Sequence, residues 1–453
     1  MKRTLIVFLL VNLMLSACAP ASAPTSTPAP SATPLPTATT APTSTATPTS
    51  MPTATPTATP TPIPTIQVGD LSVPDPRVTN PELFDVTKKG SPIVEYANAF
   101  KLNSADVLAD LHPKVEKPQG MPEFITMRTT DGVALIMATQ NESGEWVWQK
   151  ATFTEYWRAY GKYVGYGLKP RHQRNYGSYL SASRFKGGLM ALTGALESGG
   201  PVKDAESFLQ LADRNDMAFL MHYLLEPGKF PDGINAENVD QWLDNRLREM
   251  ARLIKQYNQS PAPVYVEINE PGPHPGKWNP EPNPLRNKYG DRWLTESIKR
   301  VVQILTIEHH LEIGKDYSIL VNDDPRDGKL ESIYTYLSNT REEISKEFGV
   351  EVPIIFGIEV QSNLIAPEEV IKVANKLATT GGVFLTEVNP YPNDQEGYFG
   401  QLNRLIEQPN VLGFYIWKVV PEPDPDEVDN HPSLLLNSDG SPTKLYYELL
   451  RKP

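Results

Sequence analysis

Cysteine is nearly absent from this 453-residue chain, which contains a single one, Cys18. One thiol cannot form an intramolecular disulfide, and it cannot build a cysteine-ligated zinc or iron–sulfur site. Basic residues are also in deficit, since 42 Lys and Arg stand against 54 Asp and Glu, for a net charge of −12. Because binding to phosphate backbones needs clustered positive charge, nucleic acid is not expected as a partner.

Long apolar runs are missing too, apart from a short one at the amino terminus. Lys2 and Arg3 precede roughly a dozen mostly apolar residues, a secretory signal pattern that is too short for a comfortable membrane span. The ending LSAC at 15–18 resembles a bacterial lipobox, in which the peptide is cleaved before a diacylated Cys. We expect residues 1–17 to be a signal peptide and Cys18 to be the lipidation site that anchors the exported protein to the bacterial membrane at the cell surface. An ordinary signal peptide with an incidental Cys is the alternative.

Residues 19–64 contain no charged side chain and consist almost entirely of Pro, Thr, Ala and Ser. Such a segment cannot bury enough apolar surface to offset its chain entropy, so residues 18–65 are expected to be a disordered linker that begins at the lipidated Cys. Frequent proline favours extended polyproline II, which at ~3.1 Å per residue gives a reach on the order of 140 Å. The pattern predicts a tethered globular unit whose lipid anchor is its only membrane contact.

Residues 76–150 are predicted to form a small α+β module ahead of the main domain. Residues 91–102 show helical spacing of apolar side chains, and residues 123–149 are typical of β-strands separated by turns. Trp146 and Trp148 alternate on one face of this region. They are consistent with a sugar-stacking platform or with the core of a small sheet, and core packing is favoured.

Residues 155–453 are predicted to form the main domain, because apolar strand candidates alternate there with helical stretches. This alternation indicates a parallel sheet, and eight such strands in about 300 residues are typical of a (β/α)₈ TIM barrel. A doubly wound open sheet is the alternative, although no G-x-G-x-x-G motif supports a dinucleotide-binding version of it. The strands are predicted at 163–167, 188–193, 217–223, 264–270, 317–322, 354–360, 383–388 and 411–417. Helices are predicted at 205–214, 239–257, 293–310, 332–348, 367–378, 398–407 and 442–451.

Two predicted strands end in glutamates that follow apolar runs. The fourth carries Glu267, Asn269 and Glu270, and the seventh carries Glu387. Because burial of an unpaired carboxylate is unfavourable, such residues are expected either at a functional site or buried at a cost in stability. The carboxyl ends of barrel strands meet at one face, where a pair of carboxylates is what glycoside hydrolysis requires.

The main domain resembles glycoside hydrolase family 10, the retaining endo-1,4-β-xylanase family with a (β/α)₈ barrel. Asn269-Glu270 is similar to the acid/base motif of that family, and Thr386-Glu387-Val388 is similar to its nucleophile motif. Residues 356–362 (FGIEVQS) are similar to its G-I-G-x-Q-S segment on strand six. Further similar segments are VND at 321–323, GFYIW at 413–417 and the closing region 434–450.

The resemblance implies a retaining β-glycosidase in which Glu387 is the nucleophile and Glu270 the acid/base. It implies a β-linked polysaccharide or oligosaccharide as partner, and we expect a monomer without cofactor or metal. The substrate-binding residues that it implies are Asn269, His222, Gln361, Asn363 and Trp417. Five of these residues have a structural alternative: buried salt-bridged acids for the glutamate pair, a turn former for Asn269, a satisfied core residue for His222 and a barrel filler for Trp417.

The chain also departs from the family pattern around the sugar. The polar E-N-x-x-K-W run after strand two is absent from 191–196, and the H-T-L-V-W-H run keeps its first His, His222. On strand six, Q-S-H becomes Gln361-Ser362-Asn363, so the His that would hold the nucleophile is replaced. Three hypotheses remain open: a xylanase-like enzyme, a retaining enzyme with another specificity, and a non-catalytic glycan-binding lipoprotein on a diverged barrel.

Overall fold

The computed structural model describes the chain from residue 62 onward, and these residues belong to one compact unit, Pro62–Pro453. None of the helices within the described ranges is both long and apolar enough to cross a membrane. The boundary predicted between module and main domain remains a prediction. The described ranges are 62–168, 188–192, 202–226, 228–257, 263–269, 283–323, 330–361, 367–389, 395–416, 435–437 and 439–451.

Antiparallel strands dominate the amino-terminal part of the unit. Its elements are β1 (Thr65–Val68), β2 (Leu71–Pro74), α1 (Pro76–Thr79), α2 (Pro92–Phe100), α3 (Ser104–Asp110), β3 (His112–Glu116), β4 (Phe124–Arg128), β5 (Ala134–Gln140) and β6 (Trp146–Lys150). The first two strands form a hairpin, and the other four form a sheet in the order β3-β4-β5-β6. Trp148 is buried in the core and its indole N–H donates to the carbonyl of Pro74 at 3.0 Å, in agreement with core packing.

Eight parallel strands then close into a barrel, so the predicted (β/α)₈ architecture is confirmed. Each predicted strand lies within two residues of an observed one. The strands are β7 (Tyr163–Leu168), β8 (Leu189–Leu192), β9 (Ala218–Leu225), β10 (Val264–Asn269), β11 (Tyr317–Asp323), β12 (Ile354–Gln361), β13 (Val383–Asn389) and β14 (Val411–Ile416). We call the carboxyl ends of these strands the mouth of the barrel and the amino ends its foot.

Helices lie between most of the strands, and their apolar spacing explains how they pack. In the helix Val239–Tyr257, the residues at 239, 243, 247, 250 and 254 are buried, which is one face of an α-helix. The helices are α4 (Phe153–Ala159), α5 (Glu206–Arg214), α6 (Val239–Tyr257), α7 (Pro284–Tyr289), α8 (Trp293–Val301), α9 (Leu330–Phe348), α10 (Pro367–Leu377), α11 (Gln395–Ile406) and α12 (Lys444–Glu448); a π-helical segment (Val302–Glu308) extends α8.

Two glycines allow the barrel to close around β7. A Cβ atom at Gly165 would lie 1.7 Å from the carbonyl oxygen of Leu189 on β8. A Cβ atom at Gly413 on β14 would lie 1.9 Å from the carbonyl oxygen of Tyr163. Since no side chain fits at either distance, glycine is required at Gly165, where β7 meets β8, and at Gly413, where β14 meets β7.

The amino-terminal sheet joins the barrel at its foot. Helix α4 leads directly into the amino end of β7, and its Trp157 donates an indole N–H to the carbonyl of Leu449 at 2.8 Å. The amide of Ala134 on β5 donates to the carbonyl of Leu450 at 3.1 Å. An ion pair between Asp131, in the turn between β4 and β5, and Arg451 (2.7 Å) is a second link between this sheet and the end of the chain. The sheet therefore lies away from the mouth.

Candidate active site

The barrel interior changes from apolar to polar as its strands approach the mouth. Because side chains alternate along a strand, a residue two positions further on points to the same side. Four polar residues each follow an interior apolar residue by two positions, and each is at most 2% exposed. They are His222 after Leu220, Glu267 after Tyr265, Asn322 after Leu320 and Thr386 after Phe384. The interior apolar residues are Leu189, Ala191, Ala218, Leu220, Tyr265, Leu320, Ile355, Phe384 and Tyr415.

His222 stands between two carboxylates of this polar layer. Its Nδ1 lies 2.9 Å from Oε2 of Glu267, and its Nε2 lies 3.8 Å from Oε1 of Glu387. Glu267 is fully buried and His222 is 2% exposed, whereas the side chain of Glu387 is 14% exposed. Glu387 is therefore the acid of this group that a molecule in the mouth can reach.

Glu387 occupies a β-bulge in the seventh barrel strand. Thr386 pairs with Glu359, and Asn389 pairs with Gln361. Between these two pairs β13 advances by three residues and β12 by only two, so β13 contains one extra residue. The pairing with β14 shifts in the same place, between residues 385 and 388. The φ angle of Glu387 is +50°, a left-handed conformation that is unfavourable for a residue with a side chain. Bulges and strained backbone of this kind recur beside active sites, where they aim a side chain.

A chain of hydrogen bonds crosses three neighbouring strands next to this bulge. The Thr386 hydroxyl on β13 donates to Oδ1 of Asn322 on β11. Nδ2 of Asn322 in turn donates to Oε1 of Glu359 on β12 at 3.2 Å. Glu359 is 4% exposed, so a further carboxylate lies within the polar layer.

Tyr415 completes the layer from β14. Its ring lies edge-on to His222, with 6.4 Å between the ring centroids. Burial, reinforced by the negative charges of Glu267, Glu387 and Glu359, raises the pKa of Tyr415 well above its usual value. The phenol of Tyr415 therefore stays protonated.

The predicted site residues divide according to where the structure describes the chain. His222 and Glu387 lie together at the mouth, and Asn269 and Gln361 are the last residues of β10 and β12, which end there. The side chains of Asn269 and Gln361 are outside the described residues. Entirely outside them lie Glu270, Asn363, Trp417 and Cys18.

Sequence reasoning assigned no role to several residues of the polar layer, although strand alternation could have found three of them. Glu267 precedes Asn269 by two residues, and Glu359 precedes Gln361 by two. Tyr415 stands in the same relation to Trp417. Asn322 and Thr386 appeared only within motifs. In the described part of the chain, no cluster of three or more His, Cys, Asp or Glu side chains is arranged to hold a metal ion.

Comparison with known proteins identifies the fold. No family model matches the chain, and no curated protein matches it. Among solved structures, a psychrophilic glycoside hydrolase family 10 endo-β-1,4-xylanase superposes with a TM-score of 0.52 and 15% identity, over 66% of this chain and 100% of that one. An intracellular xylanase from Thermoanaerobacterium saccharolyticum gives 0.52 and 15%, over 65% and 97%. Xylanase XynB from Paenibacillus barcinonensis gives 0.52 and 12%, over 67% and 98%.

These likenesses define the architecture that carries the candidate site. The chain has the (β/α)₈ fold of family 10 glycoside hydrolases, and the superposed structures are covered almost completely. The fold that the sequence motifs implied is thus confirmed. At 12–15% identity these likenesses show the fold, and a shared fold does not by itself determine the chemistry of a site.

Proposed function

We propose that this protein is a retaining β-glycosidase of the endo-1,4-β-xylanase type that hydrolyses β-linked polysaccharide at the cell surface. The observation that carries the proposal is the placement of Glu387, a partly exposed carboxylate on a strained bulge of the seventh strand, 3.8 Å from His222. A residue held in this way suits a nucleophile, because strained backbone conformations cluster at active sites. In the sequence, Glu270 is the residue after Asn269, with which β10 ends at the mouth.

The proposed reaction is a double displacement. Ionised Glu387 attacks the anomeric carbon while protonated Glu270 donates its proton to the departing glycosidic oxygen, which breaks the glycosidic bond and forms a glycosyl-enzyme. Glu270 then takes a proton from water, whose oxygen attacks the same carbon and releases Glu387. The product keeps the β configuration.

Xylan-like glycans are the substrates we favour. Variants of the Thermoanaerobacterium saccharolyticum xylanase have been solved with xylotriose and with xylotetraose, and that enzyme shares the present fold. We assign Asn269, Gln361, Asn363 and Trp417 to sugar binding as part of the proposal. Ala191 belongs to the apolar interior of β8, so the altered shell after strand two favours a test of several sugars rather than xylan alone.

The test uses the full chain, purified in mild detergent, with aryl β-xyloside, β-glucoside and β-cellobioside and with soluble xylan and mixed-linkage β-glucan. We expect hydrolysis of at least one substrate, and a loss of about 10⁴-fold or more in kcat for Glu387→Ala. Glu351→Gln is the matched control, because this glutamate is exposed and ion-paired with Arg341. Proton NMR of the first product should show the β anomer.

Azide identifies the two acids separately. With Glu387→Ala, azide should replace the missing nucleophile and yield an α-glycosyl azide. With Glu270→Ala, azide should intercept the glycosyl-enzyme and yield the β-azide. Glycan binding without turnover by the wild type would refute the enzyme and leave the glycan-binding lipoprotein.

Membrane attachment through Cys18 is a separate proposal, supported by the lipobox-like ending of the signal segment. Mass spectrometry of the amino-terminal peptide should detect acyl chains on Cys18. Cys18→Ser should move the protein from the membrane fraction to the soluble fraction, while a Ser22→Ala control stays in the membrane. A wild-type protein that fractionates as soluble would contradict this proposal and leave the proposed chemistry untouched.

A further inference from the structure

We propose that Asn322 and Glu359 are positioning residues that hold the bulge at Glu387 and so fix the direction of its carboxylate. The inference rests on the proposed function for its kinetic consequences and on backbone geometry for its structural ones. It assigns a purpose to two buried polar side chains that take no part in the double displacement.

The bulge places two successive side chains inside the barrel. Thr386 reaches Asn322 within the interior, and Glu387 reaches His222 across it. In a regular strand these neighbours would point to opposite sides. The left-handed backbone of Glu387 resolves the conflict, and such a conformation persists only where its surroundings enforce it.

Thr386 supplies the restraint immediately before the bulge. Its hydroxyl bond to Oδ1 of Asn322 ties β13 to β11, across the intervening strand β12. Immediately after Glu387, Val388 is fully buried, so the bulge is fixed on both sides.

Glu359 fixes the Asn322 amide in the required orientation. Its carboxylate accepts from Nδ2 of Asn322 at 3.2 Å, which leaves Oδ1 facing Thr386. A rotated amide would set its NH₂ group against the hydroxyl and its oxygen against the carboxylate. Since a carboxylate can only accept, Glu359 makes that rotation unfavourable.

Gly357 provides the space for this arrangement. A Cβ atom at Gly357 would lie 2.6 Å from Oδ1 of Asn322 and 3.0 Å from Cγ2 of Thr386. Two residues of β12 therefore support Asn322: Gly357 leaves room for its side chain, and Glu359 accepts a hydrogen bond from its amide. Glu359 stands where the similar G-I-G-x-Q-S segment has a glycine, so this acceptor is a departure from the family pattern.

The kinetic test compares variants that remove and restore single hydrogen bonds. Thr386→Val should lower kcat by about 10- to 100-fold with KM within about twofold, because misplacement of a reacting group weakens the chemical step. Thr386→Ser keeps the hydroxyl and should stay within about threefold of wild-type kcat. Glu359→Ala should lower kcat by about tenfold, whereas Glu359→Gln keeps an acceptor oxygen and should restore it.

Thr340→Val is the matched control. Thr340 is buried, and its hydroxyl bonds that of Thr295 at 2.8 Å between α9 and α8. Its replacement removes a buried hydroxyl bond away from the bulge and should leave kcat unchanged. Equal losses in Thr340→Val and Thr386→Val, or full kcat in both Thr386→Val and Glu359→Ala, would overturn the inference.

Crystal structures of the wild type, Thr386→Val and Glu359→Ala give a readout that needs no activity. We expect the φ angle of Glu387 to leave the left-handed region, or its carboxylate to move away from His222, in at least one variant. If the wild type hydrolyses no glycoside, the proposed function fails and this measurement still decides the inference. An unchanged bulge in both variants would refute it.

Discussion

Among the described residues, two buried polar clusters differ in how they are built, one beside the foot of the barrel and one at its mouth. The foot cluster consists of Glu116, Arg128, Tyr156 and Tyr160. The carboxylate of Glu116 lies 2.6 Å from Nη2 of Arg128 and accepts from the Tyr160 hydroxyl at 2.8 Å. Although burial opposes ionisation, these partners hold the pKa of Glu116 below its usual value.

The mouth cluster consists of His222, Glu267 and Glu387. Here Nδ1 of His222 is at hydrogen-bonding distance from the carboxylate of Glu267, whereas Nε2 lies 3.8 Å from the carboxylate of Glu387. Glu387 is partly exposed and has a left-handed backbone, whereas Glu116 and Arg128 are at most 2% exposed. Removing one partner from a buried charge pair leaves the other charge uncompensated, whereas a strained and partly exposed acid beside an imidazole is the kind of group found at functional sites.

The largest effect expected from this contrast is on stability at the foot. Arg128→Met leaves the buried Glu116 carboxylate without its cation and should lower the free energy of unfolding by about 3–5 kcal/mol. Glu116→Gln combined with Arg128→Met should recover part of that loss. Urea denaturation of the full chain, followed by tryptophan fluorescence, measures both. A loss below about 1 kcal/mol in the single variant would remove the distinction between the clusters.

Lys162 at the foot provides a pH-dependent test. Its Nζ donates to the carbonyls of Gln408 and Val411 at 2.7 and 2.6 Å, and burial lowers the pKa of Lys162 to about 8. Between this value and the unfolded value of 10.5, the folded state binds fewer protons than the unfolded state. Stability should therefore rise with pH across that window, by on the order of 1–3 kcal/mol relative to Lys162→Met.

The measurement is chemical denaturation of both proteins at pH 7.5, 9 and 10.5, so that all other titrations cancel in the difference. A difference that stays flat or falls with pH would show that the two carbonyls stabilise the charged ammonium enough to offset its burial. Lys162 would then belong with the fully paired groups of the foot.

The smallest effect concerns backbone strain at the mouth. Glycine adopts positive φ without a steric penalty, so Glu387→Gly should be more stable than Glu387→Ala by about 1 kcal/mol. At Glu342, an exposed position within α9, the same comparison should have the opposite sign, because glycine disfavours helix. Thermal denaturation of the four variants measures both differences. If the glycine variant were less stable than the alanine variant at position 387 as well as at position 342, the left-handed backbone of the bulge would store no strain.

Much of the barrel could be predicted because its signals are local. Each strand is a short apolar run and α6 is periodic over its whole length, so the helix predicted at 239–257 is confirmed at both ends. Strands β1, β2 and β3 were missed. The segment HPKVE of β3, for example, has one aliphatic residue in five and becomes a strand by pairing with β4.

The candidate site was predictable in part. The apolar runs before the strand-end glutamates pointed to the mouth, since strand ends meet there in any such barrel. The approach of His222 to both Glu267 and Glu387 joins β9, β10 and β13, which are far apart in sequence. No local pattern could predict that contact.

The sequence by itself determined the alternation of strands and helices, the number of barrel strands and the acids at their ends, because periodicity and composition act over a few residues. The tertiary structure decided which residue of β13 is the bulge, since a bulge exists only relative to the register of its two neighbours, β12 and β14. The tertiary structure also decided that the buried Arg128 pairs with Glu116, whereas Glu267 and Glu387 lie on either side of the imidazole of His222. The physical reason is that burial and distance to other charges, rather than residue type alone, determine the protonation and reactivity of an ionisable group.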